Sequence, residues 1–250
     1  MKKLLLQPIK SRTFSLAKRA GEFFFPALCI VCDNPLSSKN SWLCLCCLDR
    51  LRENRVNRKA CPRCSQNIAT STCTCDIAWD YSFEKIYSIY DFNETIRQIA
   101  HLIKYKGKKR LALELGILSN GAVPGEFFTG YEICIPVPLH SSRMRSRGFN
   151  QSEWFARGIL DNENNRVPLV NDLLLRTRKT GTQTKLNRSE RKKNLEGAFV
   201  VPQEKRSFVS GKRVLLVDDV VTTGATTEAC TLALLEGGCL SVGVLSVARD

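Results

Sequence analysis

The run Val214-Leu215-Leu216-Val217-Asp218-Asp219-Val220-Val221-Thr222-Thr223-Gly224-Ala225-Thr226 carries the residues best suited to chemistry. An apolar strand leads into two carboxylates, and a Thr/Gly loop then opens a helix. The first N–H groups of a helix have no partner inside it and carry the positive end of its dipole, so such a loop binds phosphate. Thr222, Thr223 and Thr226 add hydroxyl donors, while Gly224, followed by Ala225, lets the backbone approach a ligand closely. Asp218 and Asp219 stand just before the loop, where carboxylates accept from sugar hydroxyls or hold Mg2+ through water.

The second constellation is sulfur. Nine of the twelve cysteines fall between Cys29 and Cys75. Cys29/Cys32, Cys44/Cys47 and Cys61/Cys64 are CxxC pairs, and Cys73/Cys75 is CxC. A CxxC knuckle turns both thiolates toward one metal, and two knuckles complete a tetrahedral site. Pairing in order gives one site from Cys29, Cys32, Cys44 and Cys47 and another from Cys61, Cys64, Cys73 and Cys75. Cys46 is spare or replaces Cys44 or Cys47. Four thiolates leave no open position, so structural zinc is expected rather than a catalytic metal. An iron–sulfur cluster or redox thiols are the alternatives. Chelation is expected to unfold residues 29–75 and to spare most of the C-terminal domain.

Positioning these groups falls to alternating strands and helices. Trp79–Phe92 reads as a strand or hairpin. Ile96, Ile99, Ala100 and Ile103 then repeat at helical spacing, and Lys104-Tyr105-Lys106-Gly107 closes that helix. Lys108–Leu118 reads as a second helix, and Glu132–Leu139 as a buried strand running into Pro136 and Pro138. Residues 141–151 read as basic and irregular, which puts Arg143, Arg145 and Arg147 on a mobile loop able to close over a phosphorylated ligand. The plain alternative is a solvated basic loop. A helix follows over 152–160, a strand or helix start over 169–175, a strand over 214–217, a helix from Gly224 to Glu236 and a strand over 241–247. This alternation predicts a parallel α/β sheet flanked by helices. The expected organisation is a basic, apolar lead segment over 1–28, a cysteine-rich module over 29–78 and the α/β domain over 79–250.

The chain of 250 residues has a formal charge of +14. Such a balance suits a nucleic acid, an anionic membrane surface or a multiply phosphorylated small molecule, the bland alternative being solubility. No run approaches the roughly 20 apolar residues of a membrane span. Pro8, Lys10 and Arg12 interrupt the apolar start, so it does not read as a signal peptide, and a cytoplasmic location with reduced thiols is expected. Arg176, Arg178, Lys179, Lys185, Arg188, Arg191, Lys192 and Lys193 form a basic stretch able to hold a phosphate backbone. Bases would have to stack on Phe149, Trp154 or Tyr105, each of which also reads as core. His101 reads as structural, and His140 as a weaker candidate for contacting phosphate.

The Val214–Thr226 run resembles the signature with which type I phosphoribosyltransferases bind 5-phosphoribosyl 1-pyrophosphate (PRPP). Ile135-Pro136-Val137-Pro138-Leu139, Arg147-Gly148-Phe149-Asn150-Gln151, Lys104-Tyr105 and the segment from Arg176 through Gln183, Leu186, Arg191 and Asn194 to Phe199 narrow the likeness. With the cysteine pairs, they resemble the ComF family of DNA-uptake proteins over nearly the whole chain. The departures are Cys73/Cys75, where CxxC is usual, and Thr222, where purine-directed enzymes carry an Asp that assists the base. The resemblance implies a type I phosphoribosyltransferase-like sheet behind a double zinc ribbon. In it Asp218 and Asp219 face the ribose with Mg2+, and Thr222–Thr226 hold the 5′-phosphate. Val137 and Pro138, with Arg143, Arg145 and Lys104, hold the remainder of PRPP, and Arg147 joins the acidic pair in catalysis. It further implies single-stranded DNA and other DNA-uptake proteins as partners. The alternatives are a non-catalytic PRPP sensor or DNA-binding module, or a phosphoribosyltransferase of nucleotide metabolism.

Overall fold

The computed structural model describes residues 27–36, 41–56, 60–61, 63–65, 73, 75, 80–161, 167–179 and 195–249. The lead segment before residue 27, Trp79, the motif residues Gln183, Leu186 and Asn194, and the basic residues Lys185, Arg188, Arg191, Lys192 and Lys193 lie outside that set. The described residues divide into two compact units, with the boundary between Arg52 and Glu53.

In the first unit a tight turn follows Cys29. Asp33 N–H donates to the Cys29 carbonyl and Cys29 N–H to that of Asn34. Asp33 takes a left-handed φ of 57° to close the turn, a conformation Asp tolerates better than most residues. Helix α1 (Leu45–Glu53) buries Cys47 and Leu51 and ends on Arg50 and Arg52, which complement its dipole.

The second unit is built on four parallel strands, β1 (Lys85–Asp91), β2 (Ile133–Pro136), β5 (Arg213–Val221) and β6 (Ser241–Arg249), in the order β1-β6-β5-β2. β2 is buried throughout, and β6 is buried from Val242 to Ala248. Continuous apolar runs of this kind belong to parallel strands covered on both faces. The free edge of β1 is covered rather than bare. Val56 N–H donates to Ile89 O, Asp91 N–H to Asn54 O, and Ile86 N–H to Arg63 O.

Helix α2 (Glu94–Tyr105) starts where the periodicity begins, because the Asn93 side chain accepts from Ile96 N–H. It lays Ile96, Ile99 and Ile103 into the core and ends before Gly107, which has φ of 66°. Helix α3 (Lys109–Leu118) follows, then one turn of α4 (Gly125–Phe128). After β2, residues 141–147 are not irregular but form helix α5 (Ser141–Arg147). Apolar periodicity does not mark this stretch because α5 buries none of its residues. Its start is fixed by His140, whose ring nitrogen accepts from Ser142 N–H, so His140 is a helix cap.

Helix α6 (Gln151–Leu160) is capped by Asn150 and packs backbone to backbone on α3. A Cβ on Gly116 would lie 2.4 Å from Phe155 O, and one on Gly158 would lie 2.1 Å from Leu113 O, so no larger residue fits either place. Residues 169–175 form neither a full strand nor a helix. Leu169 makes an isolated bridge to Cys134, and β3 (Leu175–Arg176) pairs antiparallel with β4 (Phe199–Val200). A short α7 (Arg206–Val209) precedes β5, and α8 (Ala225–Glu236) joins β5 to β6. Among the described residues, no helix is long and apolar enough to cross a membrane.

Candidate functional site

β5 does not stop at Val217 but continues through the acidic pair to Val221, in register with β6 at Asp218↔Ser246 and Val220↔Ala248. The chain then turns through Thr222 and Thr223 into α8. Gly224 occupies the N-cap with φ of 72°, and a Cβ there would lie 2.8 Å from the Tyr81 ring. Glycine is required on both counts. Tyr81 Oη donates to Thr223 O at 3.0 Å, and the Glu228 carboxylate accepts from Ser82 N–H and Oγ at 2.8 and 2.7 Å. The Thr/Gly loop is thus pinned by residues 81–82, and Thr222–Thr226 line the cleft.

That cleft has a volume of about 780 Å³. It gathers Lys104 from the end of α2, Val137 and Pro138 after β2, Arg143 and Arg147 from α5, the pair Asp218/Asp219, and the whole Thr222–Thr226 loop including Gly224 and Ala225. Of the residues singled out in the sequence for this ligand, Arg145 and the weaker candidate His140 do not line it. For Arg145 helical geometry is the reason: positions 143 and 147 are four apart and share a face, while 145 lies between them on the other side. Ser146, Gln151 and Arg176 also line it, though the sequence did not assign them to this ligand. Gln151 ends the Arg147–Gln151 motif, and Arg176 opens the next, so position in a motif was the available signal.

The two carboxylates are held differently. Asp219 Oδ2 pairs with Lys104 Nζ at 2.5 Å and accepts from Gln151 Nε2, whose own carbonyl oxygen accepts from Arg147. Burial pushes the Asp219 carboxyl up, but the Lys104 ammonium outweighs it and holds the carboxyl below its usual range. Asp218 accepts at Oδ1 from Asp219 N–H and Ser152 Oγ, at 2.8 and 3.3 Å. The Lys104 charge lowers it less than burial raises it. Burial, reinforced by the neighbouring Asp219 charge, pushes it up to about 7. Burial lowers the Arg147 and Arg176 guanidiniums, which stay cationic near neutrality.

The cysteines gather as their spacing implied. The Sγ atoms of Cys29, Cys32, Cys44 and Cys47 lie within 4.8 Å of one another, as do those of Cys61, Cys64, Cys73 and Cys75. Cys46 is exposed and belongs to neither cluster. Contacts such as Cys32–Cys44 and Cys61–Cys75, both 3.4 Å, are far longer than a disulfide of about 2.05 Å. They approach the roughly 3.8 Å edge of a tetrahedron with Zn–S near 2.3 Å. Each cluster could therefore hold a metal such as zinc.

The second cluster sits in the same compact unit as the sheet. Ser65 Oγ donates to Ile86 O and accepts from Ser88 N–H, and Arg249 donates to Cys64 O. These contacts tie the second cluster to β1 and to the end of β6.

A family profile described as Phosphoribosyl transferase domain matches residues 88–250. The DNA utilization protein YhgH of Shigella flexneri is 28% identical over 230 residues, covering 90% of this chain and 97% of that protein. Competence protein F of Haemophilus influenzae is 27% identical over 235 residues, covering 90% and 98%. Competence protein ComFC of Bacillus subtilis is 24% identical over 242 residues, covering 89% and 95%. The chain belongs to the ComF family and carries its phosphoribosyl transferase domain. Both features expected of a ComF chain are present, the parallel sheet flanked by helices and the cysteine-rich N-terminal region.

Proposed function

We propose that this ComF-family chain binds PRPP with Mg2+ in the cleft, transfers its phosphoribosyl group to a nitrogen nucleophile, and acts on single-stranded DNA during uptake. One observation carries the reading. A phosphate loop and a pair of arginines lie in one cleft with the acidic pair, matching a ligand with a 5′-phosphate and a pyrophosphate on opposite sides of a ribose. The N–H groups and hydroxyls of Thr222–Thr226 receive the 5′-phosphate. Asp218 and Asp219 accept from the ribose hydroxyls. Arg143 and Arg147, with the backbone after β2, take the pyrophosphate. Bound Mg2+ would neutralise charge on the departing pyrophosphate, and the acidic pair is placed to hold it through water. Chemistry then rests on holding the ribose in place while positive charge builds at its C1.

The names of the relatives support a role in DNA uptake, and the charge of +14 supports a polyanionic partner. The clustered cysteines, with no disulfide among the described residues, support zinc in both clusters and a reducing, cytoplasmic setting. Metal analysis should give about two zinc ions per chain, as four thiolates serve each ion. Cys46→Ser should leave that content unchanged, while Cys47→Ser should lose about one.

PRPP with Mg2+ at a hundred times its Kd should stabilise the protein by about 2.7 kcal/mol. That is a rise of roughly 5–10 °C in Tm for a chain of this size. AMP and ribose 5-phosphate should compete, since each offers a 5′-phosphate. Thr223→Val should weaken the response by removing a donor. Calorimetry showing no PRPP binding to zinc-loaded, folded protein would overturn the reading, and pyrophosphate release separates turnover from sensing.

A further inference from the structure

Helix α2 ends at the mouth of the cleft, and its last ring is out in solvent. Tyr105 is 70% exposed, whereas Tyr90 and Tyr131 are 1% and 7% exposed. The sequence allowed Phe149, Trp154 or Tyr105 to serve as a stacking surface. The structure separates them: Phe149 is buried, Trp154 lies between Lys109 and Arg157, and Tyr105 lines the cleft with its ring accessible. His101, which read as structural, is exposed one turn earlier and lies against Tyr105 with ring centroids 4.9 Å apart. That contact restricts the tyrosine ring without covering it.

The surroundings are cationic. Lys104-Tyr105-Lys106-Gly107-Lys108-Lys109-Arg110 places the ring within a basic turn, and no carboxylate occurs between residues 95 and 113 or between 133 and 152. Lys104 is engaged by Asp219 inside the cleft. Lys106 and Arg110 are exposed, and neither makes an ion pair among the described residues. A single 5′-phosphate inside the cleft leaves these outer charges unanswered. A strand with successive phosphates answers them.

We propose that Tyr105 is a stacking platform for one base of a single-stranded nucleic acid that crosses the mouth of the cleft, with its flanking phosphates on the α2–α3 turn. This rests on the single-stranded DNA reading above and assigns it a place. Stacking is sequence-tolerant because every base has a π face, and duplex DNA, whose bases are already stacked, cannot use it.

The test is fluorescence anisotropy of a labelled single-stranded oligodeoxynucleotide and of its duplex at fixed salt. Tyr105→Ala should weaken single-strand binding about 5- to 100-fold, the loss of one base–aromatic stack, and leave duplex binding unchanged. Tyr105→Phe should bind the single strand within about two-fold of wild type, because the π face is kept. Lys106→Ala should instead weaken both and lower the salt slope by about one. Tyr105→Ala binding the single strand as wild type does would overturn the platform while leaving DNA binding, through charge alone, intact. Wild type failing to bind the oligonucleotide at low salt would overturn both. PRPP-induced stabilisation, measured separately, still decides the cleft. AMP binding weakened by Tyr105→Ala with oligonucleotide binding unchanged would assign the ring to a free nucleotide and overturn the strand.

Discussion

Asp218→Asn is expected to make the ligand-free protein more stable above pH 7 and to abolish most of its response to PRPP with Mg2+. Asp218 is 6% exposed and its carboxyl is pushed up to about 7 by burial and by the Asp219 charge. From about pH 4 to about pH 7 the folded protein keeps a proton that the unfolded chain has lost, so this group's stabilising contribution falls as pH rises through that window. The asparagine side chain keeps the Oδ1 that accepts from Asp219 N–H and Ser152, and removes the charge. Thermal unfolding should show the Asp218→Asn variant matching wild type near pH 4 and exceeding it at pH 8, by roughly 2–4 °C for each kcal/mol relieved.

Asp219→Asn should do the reverse. It strands the Lys104 ammonium, whose side chain is only 27% exposed, and breaking such a pair costs up to about 3–5 kcal/mol when fully buried. Adjacent carboxylates with opposite effects on stability, both needed for ligand, would mark the pair as kept for binding. Equal loss of stability at both positions would refute the assignment of charges.

The second large effect is expected from the Cys61–Cys75 cluster. Cys64→Ser, or zinc removal, should lower the stability of the whole sheet-bearing unit, not of a detached module. The knuckle supplies Arg63 O to Ile86 N–H, brackets Ile86 and Ser88 through Ser65, and receives Arg249 at Cys64 O. Losing it uncovers the edge of β1. The segment from β1 back to Tyr81 also pins the phosphate loop, so PRPP-induced stabilisation should shrink as well. Hydrogen exchange would show protection lost at Ile86 and Ser88. By contrast, Cys32→Ser should leave those amides protected, since its cluster belongs to the other unit. Unchanged exchange at Ile86 after zinc removal would show that the knuckle holds without metal.

The strand–loop–helix around Asp218 was legible in the sequence because its pattern is local: an apolar run, two acids and a glycine where the backbone must turn left-handed. The cysteine sites were legible for the same reason, since a knuckle is set by a spacing of three. Helix α5 was not, because a helix that buries nothing leaves no periodic trace. The division of labour between the two acids was equally hidden. It depends on Lys104 arriving from a helix more than a hundred residues earlier, and on Gln151 and Ser152 from a third element. Tyr105 read more readily as core and is instead exposed, because exposure is a property of what the rest of the chain fails to cover.

The order of the strands also bears on how the protein is made. Among the described strands β1 pairs with β6 alone, and the buried Ser88 and Ser246 hydroxyls that meet at 2.8 Å are 158 residues apart. A nascent chain leaving the ribosome must therefore carry β1 unpaired while nearly all the rest is synthesised, with an apolar edge exposed throughout. Until β6 slots between β1 and β5 there is no continuous sheet, Tyr81 is not carried to the phosphate loop, and the cleft is not built. Translation that halts before Ser241 would leave not a weakened binding protein but an aggregation-prone fragment for the chaperones and proteases of the cell.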